Sequence, residues 1–236
     1  MDAIQISDPL FPLDAEMQAN IELERAGRHG DLDGVELHLD LAIHAYVSAS
    51  YLRAAENGHT PIVKLLNDRM DVPTRRTALL AAAVEGRPDI ARAVLATKPV
   101  SVTAGPQGQV AFNVAVDQGR ACMMDVLAPW ADHASLGNAL CRSVGRNDLD
   151  LVNALIPHCA PDIIGSALLW AAHDGLVDMV DTLMPHAEDD ALVRATEPAR
   201  RHLHLDIVNM LRDGQTRRML QAALDLPQAR RPARRM

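Results

Sequence analysis

A glycine recurs at nearly constant spacing along most of this chain, and this repetition constrains the fold more than any other feature. The recurring anchor positions, with asparagine replacing glycine once, are Gly30, Gly58, Gly86, Gly119, Asn147 and Gly175. Successive anchors are 28 residues apart, except for an interval of 33 between Gly86 and Gly119. Self-similarity at such a period is the signature of a repeat protein, in which each copy is one small structural unit.

Each copy carries the same two apolar columns around its anchor. Small residues stand four and three positions before it, as in Ala54-Ala55 and Ala171-Ala172. Aliphatic residues stand four, five and eight positions after it, as in Ile62, Val63 and Leu66, which is the spacing of one face of an amphipathic helix. Each copy is therefore predicted to be a helix, a tight turn at the anchor and a second helix. One such hairpin cannot bury its own apolar face, so the copies must stack.

A seventh copy is indicated near the C-terminus, where Ile207, Val208 and Leu211 repeat the aliphatic column. Strict spacing places its anchor at Leu203. The Ala191-Leu192 pair instead favours a first helix that lies four residues earlier in the chain than an anchor at Leu203 would require. The register of this last copy, between about 190 and 211, therefore stays open at the level of sequence.

The copies resemble ankyrin repeats. Residues 54–66 read AAENGHTPIVKLL and closely match the family pattern A-A-x-x-G-H-x-x-I-V, and Thr77 to Ala83 matches its T-P-L-H-x-A-A opening less fully. The resemblance implies an all-α, ankyrin-like helix-turn-helix solenoid of about six to seven repeats. Ankyrin repeats usually contain about 33 residues, and most copies here contain 28. The β-turn loop between one repeat's second helix and the next repeat's first helix, called the finger, should therefore be shortened in most copies. Tetratricopeptide and HEAT arrays fit the spacing and the glycine placement less well.

The chain is expected to have four segments. Residues 1–20 are predicted to be an extended lead-in, 21–211 the repeat solenoid, 212–225 a C-terminal capping helix and 226–236 a basic disordered tail. In the capping helix, Met219, Leu220, Ala223 and Leu224 are predicted to face inward.

Composition and the search for targeting segments indicate the source and the cellular location of the protein. Lysine occurs only at Lys64 and Lys98 beside many arginines, which indicates a GC-rich coding sequence and a bacterial source. No Sec-type signal peptide and no apolar run long enough to span a membrane is visible, so a cytoplasmic location is expected, with delivery into a host cell by a non-Sec route as an alternative. Cys122, Cys141 and Cys159 lie within apolar patterns and are predicted to be reduced and buried.

The sequence carries no recognisable catalytic motif. It has no phosphate-binding glycine loop, no H-E-x-x-H, no C-x-x-C and no G-x-S-x-G. We therefore expect no enzyme activity, no cofactor and no metal site. His202 and His204 would point to different faces of a helix, which disfavours a shared metal ion.

The ankyrin resemblance implies that the chain binds a partner protein, without catalysis, on a concave face lined by the first helices. Positions five, two and one before the anchor should lie near that face. The candidate residues are Arg25, Arg53, Glu56, Asn57, Glu85, Asp117, Arg142, Arg146, Trp170, His173 and Asp174. Tryptophan beside arginine is typical of interface hot spots. The simpler alternative is that Trp170 packs on its neighbour and the arginines are solvated.

A second function remains open at this stage. The net charge of −8 is uneven, because the segment from Arg212 to Met236 is rich in arginine while the rest of the chain is acidic. Arginine binds phosphate well, so this tail could contact nucleic acid, although the acidic body would repel a polyanion. We expect no nucleic-acid binding elsewhere in the chain and no membrane partner.

Overall fold

The computed structural model describes residues 14–97, 99–103 and 108–225, and within these ranges it contains helices and turns but no strand. The prediction of an all-α chain is confirmed. None of the described helices is long and apolar enough to cross a bilayer. The chain divides into two compact units, Met1–Trp130 (unit 1) and Ala131–Met236 (unit 2).

Unit 1 contains four helix pairs among its described residues. They are Ala15–His29 (α1) with Leu32–His38 (α2), His44–Asn57 (α3) with Thr60–Leu66 (α4), Val72–Glu85 (α5) with Pro88–Leu95 (α6), then the five-residue Pro99–Thr103 (α7), and Val110–Asp117 (α8) with Met124–Leu127 (α9). Each first helix contacts the first helix of the next pair, and each second helix contacts the next second helix. The pairs of unit 1 therefore stack in chain order as two layers.

Unit 2 repeats this arrangement with three pairs in its described residues. They are His133–Gly145 (α10) with Leu149–Leu155 (α11), Pro161–Asp174 (α12) with Val177–Leu183 (α13), and Asp189–Arg201 (α14) with Leu205–Asp225 (α15). First helices again contact first helices, and second helices contact second helices.

The residue at each anchor has a left-handed backbone. The φ angles are 80° at Gly30, 86° at Gly58, 67° at Gly86, 66° at Gly119, 56° at Asn147, 77° at Gly175 and 63° at Leu203. These seven are all the residues with positive φ in the described ranges. A left-handed residue ends a helix and reverses the chain, which is why glycine or asparagine is favoured there. The structure thus places the seventh anchor at Leu203, as strict spacing required.

The two apolar columns form the core, as the sequence predicted. Ala54, Ala55, Ala171 and Ala172 are completely buried between first helices, where their small size lets the helices approach closely. The aliphatic column is buried as well: Ile62, Val63, Leu66, Ile90, Ala91, Val94, Met123, Met124, Leu127, Leu151, Val152, Leu155, Met179, Val180, Leu183, Ile207, Val208 and Leu211. Burying one large aliphatic side chain contributes about 1.5–3 kcal/mol, so these columns dominate the stability of the stack.

The N-terminal boundary differs from the prediction. Helix α1 begins at Ala15, because the Asp14 side chain accepts a hydrogen bond of 2.7 Å from the Met17 amide and caps the helix. The extended lead-in predicted for residues 1–20 is therefore wrong from residue 15 onward, and residues 1–13 lie outside the described part.

The C-terminal helix also differs. The capping helix predicted for 212–225 is the continuation of α15, which begins at Leu205. Met219, Leu220 and Leu224 are exposed rather than inward-facing, and so is Ala223. The reason is length: α15 has 21 residues and α14 has 13, and Arg218 already bonds to Asp189, the first residue of α14, so the part of α15 after Arg218 extends beyond the helix it packs against. The tail predicted for 226–236 lies outside the described residues.

Candidate functional site

In several copies, the side chain that follows the anchor reaches back to the preceding copy. His59 Nε2 lies 3.0 Å from the Arg28 carbonyl oxygen, and His204 Nε2 lies 3.1 Å from the His173 carbonyl oxygen. A carbonyl can only accept, so both imidazoles donate through Nε2–H. Between these copies, Arg120 Nε donates to the Val84 carbonyl at 3.1 Å. We call each such bond an inter-copy clasp.

The clasps explain why the preceding anchor is glycine. A Cβ atom added at Gly30 would lie 2.5 Å from the His59 ring, and one added at Gly175 would lie 2.5 Å from the His204 ring. Glycine is therefore needed both for its positive φ and for the space above it. Asn147 stands as an anchor where the next copy supplies Leu176, which has no side-chain donor.

In unit 1, Arg53 is the centre of an exposed ion-pair cluster. Its Nη1 lies 2.9 Å from Glu56 Oε2 on the same helix, and its Nε lies 3.9 Å from Glu24 Oε1 on α1. Glu24 Oε1 also lies 3.3 Å from Arg28 Nη2. Asn57 Nδ2 donates to the Arg53 carbonyl at 2.8 Å. The structure thus brings together Arg53, Glu56 and Asn57, and the charge of Arg53 is matched by the carboxylates of Glu56 and Glu24.

The other unit 1 candidates are separately placed. Arg25 is exposed on α1, where its Nη1 lies 3.8 Å from Glu22 Oε2. Glu85 is exposed on α5, and Asp117 is exposed on α8. These three residues occupy equivalent ends of first helices but carry different charges.

In unit 2, Trp170 is 49% exposed although its only polar atom is already bound. Its Nε1 donates to Asp174 Oδ2 at 2.8 Å, and His173 Nδ1 donates to Asp174 Oδ1 at 2.6 Å. The hydrogen bond from His173 is the main reason that the pKa of Asp174 lies below its usual value; the Trp170 bond and the charges of His173 and His202 also lower it. The carboxylate therefore stays ionised and holds the indole in one orientation.

Two histidines outside the predicted set complete this cluster. The ring centroids of His173 and His202 are 4.1 Å apart, and those of His202 and His204 are 6.2 Å apart with an interplanar angle of 13°. The expectation that His202 and His204 point to different faces is wrong, because α14 ends at Arg201 and the left-handed turn at Leu203 separates them. Their positions just before and just after an anchor could have identified them, had the last register been known.

Arg142 and Arg146 belong to the preceding copy. Arg142 is half-buried and Arg146 is exposed, at the end of α10 and just beyond it, and α10 contacts α12. Arg200, Arg201 and His202 occupy the corresponding end of α14. We define the Trp170 patch as the residues that these three helix ends present in unit 2: Arg142, Arg146, Trp170, His173, Asp174, Glu197, Arg200, Arg201 and His202.

The cysteines are free, but they are less buried than predicted. Cys122 is exposed, and Cys141 and Cys159 are half-buried. Burial raises the pKa of the Cys159 thiol to about 11, with a smaller contribution from Cys141. A thiol in that state is a poor nucleophile at neutral pH.

A buried polar network in unit 1 was missed by the sequence analysis. Arg75 is 3% exposed and donates to the Val94 carbonyl at 2.9 Å and to the Thr97 carbonyl. Asn67 Nδ2 donates to the Val94 carbonyl at 3.2 Å, and the Tyr51 hydroxyl donates to Asn67 Oδ1 at 2.9 Å. These bonds hold the start of the loop in the long 33-residue interval. The signal available was that arginine and asparagine stand at otherwise apolar positions beside that interval.

Within the described residues, no group of three or more His, Cys, Asp or Glu side chains is arranged to hold a metal ion. No protein-family model matches the chain, and no curated protein and no solved structure matches it significantly.

Proposed function

We propose that this chain is an ankyrin-like repeat protein that binds a partner protein through the ends of its first helices and does not catalyse a reaction. The observation that carries the proposal is Trp170, which is half-exposed while its N–H is satisfied by Asp174. The exposed part of this side chain is apolar and held in place. Covering such a ring is among the largest gains that a single residue gives a protein interface.

The repeated register supports the same proposal. Positions five, two and one before each anchor recur at the end of every first helix, so a segment crossing neighbouring copies within one unit meets side chains at regular intervals. This is how solenoid repeats use an extended surface for recognition. The biological role we propose is that of a bacterial regulator, or of an effector directed at a host cell.

Site-specific photo-cross-linking tests this function. A photoreactive phenylalanine analogue is placed at Trp170 or Glu56, at the ends of first helices, and at the exposed Lys64 or Asp181 on second helices as matched controls. In the native cell extract, we expect a discrete protein adduct from position 170 or 56 and none from 64 or 181. Adducts from the second-helix positions alone, or no adduct at any position, would contradict the proposal.

Among the described arginines at the C-terminus, Arg218 gives the nucleic-acid alternative no support. Arg218 donates to the Ala187 carbonyl at 2.7 Å and to Asp189 Oδ1 at 2.8 Å, so its charge serves the packing of α15. The remaining prediction concerns the tail at 226–236. Salt-dependent binding of a DNA or RNA duplex that disappears on deleting this tail would support it.

A further inference from the structure

We propose that unit 1 binds a small, uncharged apolar molecule, about the size of two fused rings, in a cavity between α5, α7 and α8. This site goes beyond the proposed function, because none of the residues that line the cavity is among the helix-end residues assigned to partner binding. The inference rests on the size of the cavity, on its apolar wall and on the hydrogen bonds made by its polar side chains.

The cavity lies where the packing on α5 changes. Between the earlier copies of unit 1, one first helix packs on the next, whereas α5 is followed by two separate elements that contact it, the five-residue α7 and the eight-residue α8. Where the three helices meet, they leave a cavity of about 310 Å³. An apolar cavity of about 150 Å³ holds a benzene ring, so this one has room for two fused rings.

The wall of the cavity is mainly aliphatic. It is lined by Pro73, Leu79 and Leu80 of α5, by Val102 of α7, and by Val110 and Ala111 of α8. Leu79, Val102 and Ala111 are buried, so the core of unit 1 fixes the position of the wall. Val110 is 43% exposed and marks the side on which the cavity opens to solvent. A wall of this kind offers an apolar ligand a large surface to cover.

Two polar side chains of the wall, Arg76 and Thr77, donate to the backbone around the cavity. Arg76 Nε donates to the Val102 carbonyl at 2.9 Å, and the Thr77 hydroxyl donates to the Pro73 carbonyl at 3.1 Å. These bonds serve the wall itself and do not need a ligand to complete them. An ionised ligand would give up its hydration on entering, which is costly beside aliphatic side chains. The cavity therefore favours an uncharged molecule.

Indole is the probe, because it has two fused rings and no charge. Its binding to the full chain is measured by isothermal titration calorimetry and located by the shifts of assigned methyl signals in NMR spectra. We expect a Kd below about 1 mM, the affinity that a ligand of this size gains from a largely apolar site. The methyl signals of Leu80, Val102 and Val110 should shift, and that of Ile21 on α1 should not.

Three relatives of indole test the chemistry of the ligand. 3-Methylindole should bind about threefold more tightly than indole, since one more methyl group is covered. Indole-3-carboxylate and 3-(aminomethyl)indole carry opposite charges at the same ring position. Both should bind at least about tenfold more weakly than 3-methylindole, because the charged group loses its hydration in the cavity.

Substitutions test the site itself. Val110→Trp should fill the opening of the cavity and lower the affinity for indole by about tenfold or more. Ile21→Trp is the matched control: Ile21 also stands nine residues before its anchor, is 46% exposed, and lies on α1. This variant should bind indole as the unchanged chain does. Circular dichroism checks that both variants fold, and the methyl shifts of the unchanged chain locate indole even if Val110→Trp does not fold.

Thr77→Val examines the role of the polar wall. It removes the hydroxyl but keeps the shape of the side chain, so the affinity for indole should stay within about twofold. A tenfold loss would mean that the hydroxyl binds the ligand, which contradicts an apolar site.

The inference is overturned if indole does not bind up to its solubility limit, since the cavity then holds only water. It is also overturned if the shifted methyl groups lie elsewhere in the chain. Tighter binding of indole-3-carboxylate than of 3-methylindole would instead show an anion site at Arg76. None of these results bears on the photo-cross-links at positions 170 and 56, so the two proposals are tested separately.

Discussion

An inter-copy clasp of the same kind joins the first two copies of unit 1 and the last two copies of unit 2, but the side chains around the two clasps differ. His59 and His204 reach back to the Arg28 and His173 carbonyls at 3.0 and 3.1 Å, over Gly30 and Gly175. Around His59 the helix ends carry the Arg53 ion-pair cluster, whose charges are largely matched. Around His204 they carry Trp170 and two further imidazoles.

The comparison separates two roles of the repeated sequence. The anchor and the clasp determine where each side chain stands, and they are nearly the same in both units. The residues five, two and one before the anchor determine what the surface can recognise, and they differ. We therefore expect substitutions that remove a clasp to lower the free energy of unfolding by a similar amount in both units. Substitutions of the surface residues should change partner binding and have little effect on stability.

The largest effect is expected from Gly30→Ala and Gly175→Ala. Each should lower the free energy of unfolding by about 2–3 kcal/mol, because the methyl group meets a clasped imidazole and φ is positive. Asn147→Ala, where Leu176 follows in the next copy, should cost only about 1 kcal/mol. Urea unfolding monitored by circular dichroism measures all three. Equal losses at 147 and 175 would show that the clasp does not constrain the anchor.

A gain is expected from Leu203→Gly. Leucine at a φ of 63° is strained and 79% exposed, so glycine should stabilise unit 2 by about 1 kcal/mol. Leu203→Ala is the matched control, since it removes the side chain but keeps Cβ and should give no gain. A loss of stability with glycine would contradict the left-handed turn at this position.

His59→Ala and His204→Ala should each lower the free energy of unfolding by about 1 kcal/mol, the usual contribution of one hydrogen bond. The two losses should be similar, although the surroundings differ. Only His204→Ala should also weaken the cross-link at position 170, because His204 holds the carbonyl of His173 in the Trp170 patch. An equal effect of His59→Ala on this cross-link would contradict the view that His204 acts locally, through the His173 carbonyl.

The smallest effect is expected from Arg53→Ala. Its side chain is 46% exposed, and its partners are the 47% exposed Glu56 and the half-buried Glu24, so the loss should be no more than about 0.5 kcal/mol. High salt should remove most of this difference, and Lys64→Ala provides a solvent-exposed cation on the neighbouring helix as a control. A loss several times larger would mean that the unit 1 cluster contributes to stacking.

Much of the fold follows from the sequence because the determining signals are local. A glycine after a helical column and aliphatic residues at one helical spacing predicted the hairpins of the first six copies. These signals need no knowledge of the neighbouring copy. The seventh register could not be decided, since leucine rarely adopts positive φ and nothing local indicates that the chain turns at Leu203.

The site was predicted less completely, because its residues are assembled by contacts between copies. Trp170, His173 and Asp174 were found from their positions relative to Gly175, but His202 and His204 belong to the undecided copy. The buried Arg75 network was also missed. Its partners, the carbonyls of Val94 and Thr97, are backbone groups, and their positions do not appear in a residue pattern.

The central claim is that one register, ending each first helix in a left-handed residue, continues to the last copy and builds the Trp170 patch. Nuclear Overhauser spectroscopy of the full chain tests it most directly at Asn147 and Leu203, since a positive φ brings a residue's own amide proton close to its Hα. We predict a strong intraresidue cross-peak at both residues, compared with weak ones at Arg146 and His202. A weak cross-peak at Leu203 would contradict the register and, with it, the arrangement of His202 and His204 beside His173.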